Sequence, residues 1–231
     1  MLIGHKNQTR SFNQTNRPIY YLEDVSIDFG NITALNSVHL EIFSGEVFFI
    51  TGPSGAGKTT LLKILANELS PRGGRAVIPN SSEKFIAQVF QEQRLLENLS
   101  CEDNLWVSFD KKVHKNKNNF YQEMERLASV LGIHDRLNIK VKNANGGLLQ
   151  KISILRAVLS RPEILLLDEP TSSMEKASAM KVFELLSYFN SKQNMTIVWA
   201  THNRELVKQF TGKIAHLDKG KLIYTGRACF I

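Results

Sequence analysis

Nine consecutive residues constrain this chain more than any others: Gly52-Pro53-Ser54-Gly55-Ala56-Gly57-Lys58-Thr59-Thr60. They fit the pattern G-x-x-x-x-G-K-[ST], with Gly57, Lys58 and Thr59 as its end. Glu46 to Ile50, just before, reads as a buried strand, and Thr60 to Leu69, just after, as an amphipathic helix. Strand, glycine turn and helix start together make a cradle for polyphosphate. Gly52, Gly55 and Gly57 let the backbone bend close to phosphate oxygens. The free N–H groups and dipole of a helix start favour an anion there. Lys58 adds a point charge, and Thr59 offers a hydroxyl to magnesium.

The flanks repeat the alternation of strands and helices. Gly30-Asn31 marks a turn between two early strands, and Val38, Leu40 and Ile42 alternate as in a half-buried strand. Pro71-Arg72-Gly73-Gly74 is expected to end the helix after the phosphate loop, and 85–90 reads as another strand. From Leu99 to about Arg161 the pattern turns helical, with Phe120, Met124, Leu127 and Leu131 as core. Ile164 to Leu167 and Thr196 to Ala200 read as buried strands, and Asp218 to Lys221 as a hairpin turn. The fold class is therefore α/β, a mainly parallel sheet flanked by helices. Residues 1–17, polar and without periodicity, are expected to be a mobile tail, with one domain over 18–231.

Composition narrows the setting. The 231 residues suit one domain, and the longest apolar runs are too short to cross a bilayer. No signal-like segment follows Met1, so a cytosolic location is expected. Cys101 and Cys229 sit far apart and are expected to be reduced. The net charge of +7 suggests anionic company: nucleotide first, a membrane surface second, with no nucleic acid expected. The run from Lys111 to Lys117 reads as a solvated loop, with lipid headgroups as the alternative partner.

Asp168-Glu169-Pro170 follows four apolar residues, placing an acidic pair at the carboxyl end of a buried strand, where open α/β sheets bind ligands. Asp168 suits magnesium, and Glu169 suits a general base acting on water.

With these residues in place, the chain resembles the ATP-binding cassette (ABC) ATPases from Ile19 to Gly226. The resemblance implies an antiparallel β subdomain and a helical lobe over about 95–160. It makes Phe29 the aromatic that stacks on adenine, and Gln91 the glutamine that senses magnesium and touches the membrane partner. Asn145-Gly146-Gly147, followed by Gln150, stands at the signature segment that meets the ATP of a facing subunit. Ser172-Ser173-Met174-Glu175 matches the loop that crosses the dimer interface, and His202 the switch histidine. ATP and Mg2+ are the implied ligands. The implied partners are a second ATPase subunit, expected as a homodimer, and a polytopic membrane protein. The implied location is the cytoplasmic face of the plasma membrane.

Three residues depart from the family pattern: Asn145 replaces a serine, Leu148 a glutamine and Glu175 an aspartate. Losing one hydrogen bond to a charged group costs about 1.5–3 kcal/mol, roughly tenfold to a hundredfold in rate. Slow hydrolysis is expected, with Leu148→Gln speeding it. The stretch between Gly74 and Gln91 is short for the family, so a compact sheet edge is expected. Within the family, Phe49-Ile50-Thr51, the run Ser54 to Gly57 leading into Leu61-Leu62-Lys63, and Val198 to His202 resemble the FtsE-type cell-division ATPases, which implies an FtsX-like partner. A lipoprotein-release or small-solute ATPase with another permease is the alternative, and an ATP-dependent scaffold with little hydrolysis a further one.

Overall fold

The computed structural model describes residues 17–80, 84–208 and 211–228. The expected tail over 1–17 lies outside them except for Arg17, as does Cys229. Strands β1 (Tyr20–Phe29), β2 (Ile32–Ile42) and β4 (Gly73–Val77) form a three-stranded antiparallel sheet in the order β2-β1-β4. A six-stranded sheet runs β5-β6-β7-β3-β8-β9, from β3 (Val47–Thr51), β5 (Ile86–Val89), β6 (Ile164–Asp168), β7 (Thr196–Thr201), β8 (Gly212–Asp218) and β9 (Lys221–Ala228). Its pairings are parallel except β8 with β9.

Side-chain alternation divides the core. Successive residues of a strand point to opposite faces. Phe49, Leu165, Leu167, Ile197 and Trp199 pack with the helical lobe on one face. Phe48, Ile50, Ile164, Leu166, Val198 and Ala200 pack with helix α1 (Lys58–Leu65) and the three-stranded sheet on the other. Because both faces are covered, β6 is buried along its whole length, which is why it reads as a continuous apolar run.

Helices α2 (Cys101–Trp106), α3 (Lys111–His114), α4 (Lys117–Val130) and α5 (Gly146–Leu159) build the lobe. Ser100 and Asp103 form a capping box that starts α2. Phe120, Met124, Leu127 and Leu131 are fully buried, as their spacing predicts. Helix α6 (Lys176–Gln193) leads into β7, and the short α7 (Arg204–Val207) follows it.

Two expectations need correction. The helix after the phosphate loop ends at Leu65, not Leu69, because Asn67 takes a left-handed conformation (φ 58°). Gly73 and Gly74 then open β4 instead of closing a helix. The basic run 111–117 is also not a loop: it forms α3 and the start of α4. Asp110 and Asn116 supply the N-caps by accepting from Lys112 N–H and Asn119 N–H. The lysines of the run are exposed, while His114 is buried with Nε2 2.8 Å from the Leu159 carbonyl.

Candidate nucleotide site

The phosphate loop leaves the carboxyl end of β3, and Lys58 opens α1. Two glycines are required by contact as well as by conformation. A Cβ on Gly52 (φ 153°) would lie 2.2 Å from the Leu217 carbonyl, and one on Gly57 (φ 103°) 2.5 Å from that of Ala34. The loop is thus pressed between β2 and β8. Ala56 anchors it: its side chain joins the core, and its carbonyl accepts from Gly220 N–H at 3.0 Å. The buried Lys58 ammonium donates to the carbonyls of Gly52 (2.9 Å) and Pro53 (3.0 Å) and lies 3.6 Å from Glu169 Oε1.

Parallel pairing brings the acidic pair alongside. Thr59 Oγ1 donates to Asp168 Oδ2 at 2.7 Å. Burial raises the Asp168 carboxyl pKa, and the Glu169 charge adds to this, while the Thr59 bond and the lysines Lys58 and Lys63 oppose it. Glu169 has φ 47°, a conformation uncommon for a non-glycine residue, and its N–H donates to the Ala200 carbonyl at 2.9 Å. Its Oε1 lies 2.9 Å from His202 Nδ1. A carboxylate can only accept, so Nδ1 carries the proton of this bond.

These groups share a cavity of about 550 Å³. Of the residues expected from sequence, Pro53, Ser54, Gly55, Gly57, Lys58, Thr59, Thr60, Gln91, Asp168, Glu169 and His202 line it. Gly52 faces a neighbouring hollow with Pro53, His202, His216 and Asp218. Phe29 stands at the end of β1, 51% exposed, and is not among the lining residues. Ile32, Thr33 and Ala34 of β2 are, as is Ser172. Sequence reasoning gave Ser172 to the loop that crosses the dimer interface and missed the three β2 residues; only the β1–β2 register, which pairs Phe29 with Ile32, carries these to the cavity.

Asn145, Gly146 and Gly147 lie elsewhere. With Leu148, Ser173, Glu175, Arg136 and Lys151 they line a second cavity of about 410 Å³. Asn145 caps α5, its Oδ1 accepting from Leu148 N–H at 2.9 Å. Leu148 is 3% exposed and belongs to the core cluster of the lobe.

The first cavity fits a magnesium–triphosphate pair. It offers a buried ammonium, a glycine loop at a helix start, and a carboxylate bonded to a hydroxyl. Among the described residues no three His, Cys, Asp or Glu side chains cluster as a metal cage. Mg2+ takes one or two carboxylates together with substrate phosphates, and Asp168, bonded to Thr59, offers one such carboxylate. Asp168, Thr59 and Gln91 are the residues that would hold it.

Comparison with known proteins agrees with this geometry. The sequence profile described as ABC transporter matches residues 35–172. The methionine import ATP-binding protein MetN of Clostridioides difficile is 32% identical over 218 residues, covering 89% of this chain and 67% of that protein. The MetN of Histophilus somni is 29% identical over 208 residues, covering 85% and 60%. The chain thus spans about three fifths to two thirds of these relatives' length. Among solved structures, a dimeric ATP-binding cassette in a post-hydrolysis state with ADP and phosphate bound has a TM-score of 0.77. It is 26% identical, with 91% of this chain and 99% of that one covered. An ATP-binding subunit of an ABC transporter, 20% identical with a TM-score of 0.78, covers 90% of each chain and shares the fold.

Two measurements probe the site. The raised Asp168 pKa means that burying its charge opposes folding above that pKa, and acidification relieves the opposition. Asp168→Asn is expected to raise the unfolding midpoint near neutral pH, with the gap over wild type closing as pH falls through the carboxylate range. Thermal melts across that range check this. Leu148→Gln places an amide among core residues and is expected to cost about 1–3 kcal/mol in urea unfolding. The core position of Leu148 therefore makes this substitution a probe of stability first and of turnover second.

Proposed function

This chain belongs to the ABC transporter family, and from that premise we propose that it is the ATP-hydrolysing subunit of a small-solute transporter. Two copies close around two ATP and drive a polytopic membrane partner. The observation that carries the reading is the convergence on one cavity of Lys58, the Thr59–Asp168 pair and the Glu169–His202 pair.

Each residue has a task set by its surroundings. Lys58 and the loop N–H groups hold the phosphates, and Ile32 to Ala34 line the cavity wall beside them. Mg2+, when bound, offsets the charge of the phosphate oxygens. Glu169 takes a proton from the attacking water, and His202 fixes that carboxylate through Nδ1. Gln91, exposed and on the cavity rim, links the site to the surface where the membrane partner docks.

Import is favoured over a cell-division role. The relatives named above are methionine import proteins. Of the residues that suggested an FtsE-type subunit, Phe49, Ile50, Val198, Trp199 and Ala200 are fully buried in the sheet, whereas Ser54, Gly55, Lys63 and His202 are exposed. The identities of the buried ones answer to packing against neighbouring side chains, and Ser54, Gly55 and His202 face the nucleotide cavity. The role given to the chain is that of a peripheral subunit on the cytoplasmic face of the membrane; no helix among the described residues is long and apolar enough to cross one.

The departures from the family pattern all fall in the second cavity, which Asn145, Leu148 and Glu175 line. The phosphate-side residues of one copy, Lys58, Thr59, Asp168, Glu169 and His202, carry no such departure. ATP binding is therefore expected to be intact and hydrolysis slow. Calorimetry with magnesium present and a phosphate-release assay test this; full-speed turnover by the isolated chain contradicts it. Glu169→Gln is expected to keep ATP affinity, abolish hydrolysis and shift the chain to a dimer on ATP addition. Undiminished hydrolysis in that variant, followed by light scattering and phosphate release, removes Glu169 as the base.

A further inference from the structure

Helix α5 reaches both cavities. Its first residues, Gly146 and Gly147, line the second. One turn on, Gln150 is 2% exposed, and its amide is fully engaged. Its Nε2 donates to Ser172 Oγ at 2.8 Å and to the Glu169 carbonyl at 3.4 Å, and its Oε1 accepts from Ser173 N–H at 3.0 Å. The left-handed Glu169 is thus pinned from two sides: its N–H by β7, its carbonyl by Gln150 and by Ser172 N–H at 3.2 Å. A residue in a sparsely populated conformation persists only where its surroundings hold it.

The far half of α5 holds a second loop. Ser153 Oγ donates to the Gln93 carbonyl at 3.2 Å, and Arg156 Nη2 donates to the carbonyls of Gln93 (3.3 Å) and Arg94 (2.9 Å). Gln93 and Arg94 also have positive φ, 24° and 47°, and only Glu92 separates them from Gln91. The Arg94 guanidinium stacks on the Phe90 ring, 3.4 Å from its centroid, closing the loop on itself. One 14-residue helix therefore carries the rim of the second cavity and grips the two loops that bring Glu169 and Gln91 to the first.

We propose that Gln150 and Arg156 are positioning residues through which α5 transmits contact at the second cavity to the first, Gln150 by fixing Glu169 and Arg156 by fixing the Gln91 loop. This rests on the ATPase reading above. A facing copy that seats on Asn145, Gly146 and Gly147 moves α5, and both loops move with it. Nucleotide affinity within one copy does not depend on either residue, because neither lines the first cavity.

The test is steady-state hydrolysis by the full chain with Gln150→Leu, Gln150→Glu and Arg156→Lys, together with nucleotide binding. Gln150→Leu is expected to leave KM for ATP within about twofold and to lower kcat about tenfold or more, the size of one lost hydrogen-bond set. Gln150→Glu keeps the acceptor for Ser173 N–H and is expected to fall between Gln150→Leu and wild type. Arg156→Lys keeps the charge but loses the planar fork, and is expected to raise the magnesium concentration for half-maximal rate about fivefold. A wild-type kcat in Gln150→Leu, or equal losses in affinity and kcat, overturns the role of Gln150; an unchanged magnesium requirement overturns that of Arg156. Should Gln150→Leu not fold, Ser172→Ala removes only the exposed hydroxyl partner, and a wild-type kcat there counts against the proposal. A wild-type chain that binds no ATP at all defeats the ATPase reading itself, which is a separate result.

Discussion

Parallel pairing of β6, β7 and β3 is the constraint on which the site depends. Register aligns Leu167 with Trp199 and Phe49, and Asp168 with Ala200 and Ile50. The carboxyl ends of all three strands therefore open at one edge. The phosphate loop, the acidic pair and His202 each leave the sheet there, so three distant pieces of sequence become one cavity. The apolar runs behind them, buried on both faces, hold those ends in register. Strand packing and chemistry are set by the same contacts.

Much of this was legible in the sequence because local patterns suffice for it. The phosphate motif, the buried strands and the lobe's core positions are written in spacing and residue type, and Phe120, Met124 and Leu127 sit where their period puts them. Other features depend on distant partners and left no local mark. The end of α1 at Leu65 turns on the left-handed Asn67, a residue type that gives only a weak signal. The helical state of 111–117 turns on two caps, Asp110 and Asn116, inside a run whose charge suggested a loop. Ile32 to Ala34 reach the cavity only through the β1–β2 register.

Leu148 shows the limit of reading a motif position by analogy. A departure from the family pattern looked like a missing hydrogen bond, yet the side chain is a core residue of the lobe. Asn145, by contrast, does what its chemistry promised, capping α5 with its side-chain oxygen. Gln150, given no role from sequence beyond its place after the signature segment, turns out to be the buried amide that ties this helix to the Glu169 loop. Its neighbours in sequence gave no sign of that, since its three partners, Glu169, Ser172 and Ser173, lie beyond β6.

The seating of the phosphate loop against the β8–β9 hairpin bears on how the chain comes into being. Gly52 packs under Leu217, Ala56 accepts from Gly220, and Gly220 in turn accepts from Asn36 N–H at 2.8 Å. Those contacts join segments far apart in the chain, and such distant closures form late and slowly. During synthesis the loop leaves the ribosome long before the hairpin that braces it. A nascent chain halted ahead of that hairpin would hold the whole phosphate motif yet lack its back wall, so ligand capture becomes a late event of biogenesis rather than a nucleus for it.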